Sequence, residues 1–207
     1  MKHEWRKAEK TIYIPKAKPE LIEVPTMNFI TIEGKGNPND ELFSKHIEAL
    51  YGIAYTLRMM PKGGFTPPGY FEYTVYPLEG LWDLSDKAKA EGIFDKDELV
   101  YKIMIRQPEF ITSKIFEKAR ELAKIKKGNP LFDFVKFETI EDGQSVQMLH
   151  VGSYDDEPQT FAMMQQYCED NDLILRTKVH REIYLSDFRR VVPEKLKTTL
   201  RYMVEPK

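Results

Sequence analysis

The sequence predicts an α+β protein built from two pseudo-symmetric βαββ-type repeats, with antiparallel sheets, helices on one face and a ligand cleft between the repeats. Three observations predict it. Apolar residues switch between alternation, the period of a strand, and steps of three and four, the period of a helix. The order strand, glycine, polar loop, proline, helix, strand, strand runs over residues 29–106 and again over 146–204. The two stretches share almost no identical residues, so the pattern repeats and the residues do not. Each sheet would carry its helix on one face and leave the other to meet its counterpart.

The elements follow in order. Residues 1–25 are charged and broken by Pro15, Pro19 and Pro25, and read as a lead-in with edge strands at 11–14 and 21–24. Residues 29–32 form a strand. Asn37, Pro38, Asn39 and Asp40 then suit the start of a helix in which Phe43, Ile47, Leu50, Ala54 and Leu57 recur to about residue 60. A Gly/Pro loop fills 61–68, a long strand 70–82, a short helical insertion 85–92 and an alternating strand 99–106. A helix over 113–127 carries Ile115, Ala119 and Leu122 on one stripe and ends at Lys126, Lys127, Gly128 and Pro130. Asp142-Gly143 signals a hairpin. After a polar loop at 152–157, Pro158 opens a helix that buries Phe161, Met164 and Cys168, and strands close the chain at 173–185 and 199–204. Residues 1–207 thus form a single domain: repeat one about 27–110, a linking helix about 112–127 and repeat two about 131–207.

Composition narrows the function. Hydrophobic residues at 42% and charged residues at 31% describe an ordinary globular chain. The net charge of −2 leaves no basic excess to neutralise phosphates, so no nucleic-acid partner is expected. One cysteine, Cys168, forbids an internal disulfide, and the charged start Met1-Lys2-His3-Glu4 lacks a leader, which places the chain in a reducing cytoplasm. No apolar run approaches the roughly 18 residues of a membrane span, so no membrane partner is expected either. A protein partner is not indicated. His3, His46, His150 and His180 show no zinc-ligand spacing, and neither metal nor cofactor is expected; His46 reads as a surface or boundary residue.

Two stretches carry chemistry. In His180-Arg181-Glu182-Ile183-Tyr184-Leu185, alternation puts Ile183 and Leu185 against the helix and His180, Glu182 and Tyr184 on the other face. A carboxylate between two rings on a sheet face has two readings. Either it pairs with a guanidinium, Arg181, Arg189 or Arg190, or it is a pocket group that attracts cations or polarises a water. In the second stretch, residues 70–82, Tyr70, Tyr76 and Trp82 share one face, although Pro77 and Gly80 imply a bulge. This strand holds the place in repeat one that 180–185 holds in repeat two, which makes Glu79 the counterpart of Glu182.

The strings His180-Arg181-Glu182-Ile183-Tyr184-Leu185-Ser186-Asp187 and Pro193-Glu194-Lys195-Leu196-Lys197-Thr198 resemble the C-terminal signature of the GyrI-like (gyrase-inhibitor-like) small-molecule-binding family. Leu50-Tyr51-Gly52-Ile53-Ala54-Tyr55, Pro77-Leu78-Glu79-Gly80-Leu81-Trp82 and Leu149-His150-Val151-Gly152-Ser153-Tyr154-Asp155-Asp156-Glu157-Pro158 match its stand-alone branch, related to cyclopropanoid cyclohydrolases. The resemblance covers most of the chain, from about residue 27. It implies a small-molecule aromatic ligand: Glu182 as the catalytic or cation-facing group, with Trp82, Tyr76, Tyr184, Tyr70, Tyr154, His180 and Glu79 around the ligand. It also implies hydrolysis of cyclopropane-bearing DNA-alkylating compounds, with Glu182 directing a water. The alternatives are a non-catalytic binding or sequestering protein and a gyrase- or toxin-antagonising interaction module.

Overall fold

The computed structural model describes residues 2–207. It is an α+β protein with helices α1 (Trp5–Ala8), α2 (Lys10–Tyr13), α3 (Glu41–Met59), α4 (Asp86–Glu91), α5 (Ser113–Lys127) and α6 (Glu157–Asp170). Its strands are β1 (Glu20–Val24), β2 (Met27–Lys35), β3 (Leu78–Leu84), β4 (Leu99–Gln107), β5 (Lys136–Ile140), β6 (Gly143–Val151), β7 (Leu173–Tyr184) and β8 (Lys197–Pro206). The chain divides into two compact units. The first holds the residues up to Glu4 with 27–78 and 83–140, and the second holds 5–26, 79–82 and 141–207.

In the first unit the strands run β4-β2-β5, all antiparallel. α3 packs on β2, β4 and α5. Its buried stripe, Phe43, Leu50, Ile53, Ala54 and Leu57, meets the apolar ladder of Ile30, Ile32, Ile103 and Ile105. The caps of α5 are those its sequence announces: Thr112 accepts from the Ile115 amide, and Gly128 ends the helix at φ 62. His46 lies in the core, not at the surface. The Tyr101 hydroxyl stands 3.1 Å from its Nδ1, and burial lowers the pKa of its ring.

The expected strand over 70–82 is mostly irregular chain. Only Leu78–Leu84 forms β3, while Tyr73 makes an isolated bridge to His3. Pro67, Pro68, Gly69 and Pro77 break up the backbone on either side. Phe71 and Tyr73 instead pack edge-on against Phe110, at 5.1 and 6.0 Å between ring centres.

In the second unit the order is β1-β6-β8-β7, with Glu79–Trp82 of β3 along β7, again antiparallel throughout. Register sorts the side chains between two faces. Val146, Met148, Leu200, Tyr202, His180 and Glu182 share one face, and Gln147, Thr199, Arg201, Arg181, Ile183 and Glu79 the other. Met164 and Cys168 of α6 join Val146, Met148, Leu200 and Tyr202 in one apolar cluster. The helix therefore covers the Glu182 face, the reverse of the sequence expectation.

The N-terminal segment covers the opposite face. Residues 11–14 fall on α2 and its end rather than in a strand. A helix of four residues leaves its carbonyls without internal partners. Gln147, Arg201 and Thr199 donate to the carbonyls of Thr11, Ile12 and Tyr13 at 2.7, 2.7 and 2.8 Å, so sheet side chains supply what the short helix lacks.

Asp142-Gly143 does not make a hairpin. β5 pairs with β2, whereas β6 pairs with β1 and β8. Gly143 still takes the left-handed conformation, at φ 64, but Asp142 is drawn into the second unit by two arginines. The Arg181 guanidinium gives Asp142 a bidentate pair at 2.6 and 2.7 Å and gives Glu79 a bond at 3.0 Å; Arg201 adds a contact to Asp142 at 3.3 Å. All four side chains are buried. Burial pushes the Asp142 carboxyl up, but Arg181 and then Arg201 outweigh it and hold the group below its ordinary value. A folded-state pKa lowered in this way stabilises the fold above the unfolded-state pKa, and the gain is lost as pH falls through the folded value.

Removing one partner of such a cluster strands buried charge. Asp142→Asn should therefore cost about 3–5 kcal/mol in urea unfolding at pH 7. The difference from the unsubstituted protein should begin to shrink below the unfolded-state value of about 3.9 and close as pH falls through the folded value, where Asp142 itself takes up a proton.

Candidate functional site

Four of the residues singled out in the sequence form one connected chain of contacts in the second unit. β7 and the 79–82 segment lie side by side with Gly80 opposite Glu182 and Trp82 opposite His180. Period-two alternation then sends Trp82, Tyr184, Glu182 and His180 to the same face. The Trp82 indole Nε1 donates to the Tyr184 hydroxyl at 2.8 Å, and that hydroxyl donates to Glu182 Oε2 at 2.8 Å. His180 Nε2 stands 3.1 Å from Glu182 Oε1. Burial, then the charge of Glu182, pushes the Tyr184 hydroxyl well above its ordinary value, which keeps it a donor.

Gly80 makes this geometry possible. A Cβ there would sit 2.6 Å from Trp82 Nε1 and 3.2 Å from the Tyr184 hydroxyl. The bare backbone is what lets the indole and the phenol meet above the strand pair.

The guanidinium reading of Glu182 does not hold. Arg181 lies on the opposite face with Asp142 and Glu79, and Arg189 and Arg190 pair with Asp187. Glu182 is only 9% exposed, and its bonds come from a phenol and an imidazole. Glu79 leaves the candidate set, because register places it opposite Ile183, beneath the sheet from Glu182, where it neutralises Arg181.

Rings surround the carboxylate within the same unit. Tyr154 meets Tyr184 at 6.1 Å and almost a right angle, and Phe161 of α6 packs on His180 at 4.7 Å. Tyr154 is 37% exposed, so one side of the ring group reaches solvent. Tyr70 and Tyr76 belong to the first unit. There Tyr70 packs edge-on to Phe110, and buried Tyr76 lies 3.4 Å from His3 Nε2 with the Arg106 guanidinium 4.7 Å above its ring.

One group escaped sequence reasoning. Glu157, the first residue of α6, is 6% exposed, and its Oε1 has no hydrogen-bond partner. Burial, then the charge of Glu182, then Asp155, pushes its carboxyl up to about 10. The signal was in the sequence: counting back from Phe161 and Met164 in steps of four and three puts Glu157 on the buried stripe of α6, not in a polar loop. His150 fixes the approach to that helix. Its ring nitrogens lie 2.9 Å from the Thr160 hydroxyl and 2.9 Å from the Ser153 carbonyl, which engages both of them.

A sheet face that presents a carboxylate among rings, beneath a helix carrying a second carboxylic acid, is the candidate site of this α+β protein. The chain belongs to the GyrI-like small molecule binding domain family, whose profile matches residues 17–205. It is similar to a hydrolase from Listeria innocua at 40% identity, covering 98% of this chain and all of that one with a TM-score of 0.89. A second structure of a Listeria innocua hydrolase is 41% identical, with 99% and 100% coverage and a TM-score of 0.91. The EcmrR C-terminal domain, 18% identical over 95% of this chain and 99% of its own, shares the fold at a TM-score of 0.53. No curated protein matches the chain in sequence. Among the described residues, no helix is long and apolar enough to cross a membrane.

Two substitutions test the geometry. Gly80→Ala should push the Trp82 indole off the Tyr184 hydroxyl, shift tryptophan emission and cost about 1–3 kcal/mol in unfolding, as overpacking does. Glu157→Gln should act in the other direction. An acid whose pKa is raised by folding contributes its full stability only below the unfolded-state value of about 4.3 and loses it as pH rises. Glutamine keeps the neutral shape without that penalty, so Glu157→Gln should raise stability by about 1 kcal/mol or more at pH 7.5 and leave it little changed at pH 4.

Proposed function

We propose that the Glu182 site takes up planar aromatic or cationic xenobiotics and hydrolyses cyclopropane-bearing DNA-alkylating compounds. The observation that carries this reading is a buried carboxylate bound by a phenol and an imidazole, with no arginine or lysine on it, the phenol in turn bonded to an indole. A carboxylate held this way is open to a cationic ligand, and aromatic rings bind flat molecules with little loss of side-chain freedom. The likeness to two Listeria innocua hydrolases supports turnover.

The chemistry balances on the groups present. Glu182 takes a proton from a water as its oxygen bonds to the cyclopropane methylene. The strained carbon–carbon bond breaks, and its electron pair moves into the conjugated ring system, whose oxygen takes up a proton. Glu157 holds a proton at neutral pH and is the acid closest in role to that step. Tyr184 and His180 orient Glu182, and Trp82 with Tyr154 flank the ligand plane.

The same contacts favour a second reading, binding without turnover. Both Glu182 oxygens already have partners, so the group acts as a fixed charge until Tyr184 or His180 lets go.

One experiment separates the two. The protein is incubated with a cyclopropane alkylator and with a rhodamine-type dye, and both are followed by mass spectrometry and by dye quenching. Turnover predicts a hydrated product whose rate falls about a hundredfold or more in Glu182→Gln. Trp82→Ala should weaken binding of both molecules. Saturable quenching with no product from the alkylator would establish the binding role, and product formation that is unchanged in Glu182→Gln would remove Glu182 from the chemistry.

A further inference from the structure

A second concave surface lies entirely within the first unit. It is a groove of about 650 Å³ between the C-terminal half of α3, the turn at 60–65 and the outer side of α5. That volume is in the range of small-molecule sites. Its walls are apolar: Tyr55 and Met59 from α3, Met60 and Phe65 from the turn, and Leu122 from α5. Tyr55 is 50% and Met59 39% exposed, so the groove leaves large apolar side chains in water.

Its rim has one sign of charge. Lys118, Lys126 and Lys127 line it, and no lining residue is acidic. Other cations of α5 are neutralised, Arg120 by Glu117 and Lys124 by Glu121 and Asp133. No carboxylate among the described residues pairs with the three groove lysines. The Lys118 ammonium instead stands 3.6 Å over the Phe65 ring, at the boundary between rim and wall. Lys126 and Lys127 also occupy the last turn of α5, where the helix dipole favours cations.

We propose that this groove binds a free amphiphilic carboxylate, an apolar chain or flat ring system ending in one acid group. The apolar body would cover Tyr55, Met59 and Phe65, and the acid would lie among the three ammonium groups. Its charge preference is opposite to that of the Glu182 site, so the two would take different molecules.

The test uses dodecanoate as probe, with its methyl ester and dodecyltrimethylammonium as controls, in calorimetric titrations of the full chain. Gly63 offers a blocking variant that should not disturb folding, since a Cβ there meets no atom within 4 Å. Saturable dodecanoate binding should weaken about tenfold or more in Gly63→Leu and in Lys118→Gln/Lys126→Gln/Lys127→Gln, which corresponds to about 1.4 kcal/mol, and should persist in Glu182→Gln. Equal binding of the ester or the trimethylammonium compound overturns the proposal, as does affinity that both groove variants leave intact. A third arm uses phosphatidylglycerol vesicles. Sedimentation with vesicles that survives Gly63→Leu, without dodecanoate binding, would make the lysines a lipid-surface patch and overturn it too.

Discussion

The Arg181 guanidinium, held by Asp142 on two oxygens and by Glu79 on a third, organises the second unit. It sits 1% exposed in the middle of β7, a position that would be prohibitively costly for a lone cation. The carboxylates that neutralise it come from two other places in the sequence, the 79–82 segment and the turn before β6. One charge group therefore ties three strands together and fixes their register. Register in turn decides which face every neighbouring side chain occupies, because a slip of one residue would exchange the faces. Glu182, the next residue along, points to the opposite face only because Arg181 is pinned where it is.

That alternation explains how one short stretch of strand carries two charges with opposite fates. On the face covered by the N-terminal segment, charge is matched by charge and closed off. On the face covered by α6, a carboxylate is matched by a phenol and an imidazole and ringed by aromatic groups. Tyr184 and His180 satisfy the two oxygens of Glu182. Trp82 then satisfies the phenol, so the chain of donors begins at an indole and ends on the carboxylate. Glu157 adds the complementary feature, an acid kept neutral by burial and by its charged neighbour, with one oxygen still lacking a partner.

Much of this was legible in the sequence. The long helices α3, α5 and α6 follow from apolar period, and Thr112 and Gly128 bound α5 through chemistry that needs no tertiary context. The grouping of His180, Glu182 and Tyr184 follows from strand parity alone. Other features depended on contacts that no local pattern contains. Residues 11–14 have the branched and aromatic composition of a strand, but sheet side chains finish a helix there. Asp142-Gly143 has the form of a hairpin turn, but Asp142 has two buried arginines to reach. Parity places Trp82 with His180 and puts Glu79 on the other face; it is the two-repeat analogy, which makes Glu79 the counterpart of Glu182, that fails, because its partner, Arg181, lies on that other face. Glu157 was hidden by its neighbours, since Asp155, Asp156 and Pro158 make the local composition that of a solvated loop.

The pairing of a fixed carboxylate with a neutral acid also bears on what such a face can discriminate. A neutral flat molecule gains from the rings but leaves Glu182 as it stands, bound to Tyr184 and His180. On the proposed reading, a flat cation would gain from the rings and also from the Glu182 carboxylate, which no arginine or lysine contacts. On the same reading, a strained electrophile would gain a third way, since charge that develops as its ring opens would be met by a base at one point and an acid at another. Under the proposed function, shape would admit a broad range of planar compounds, while charge would rank them and reactivity would select among those that bind. Selectivity of this kind does not require a closely fitted cavity. It requires that the carboxylate stay free of any competing guanidinium, which the Arg181 cluster secures from the opposite side of the same strand.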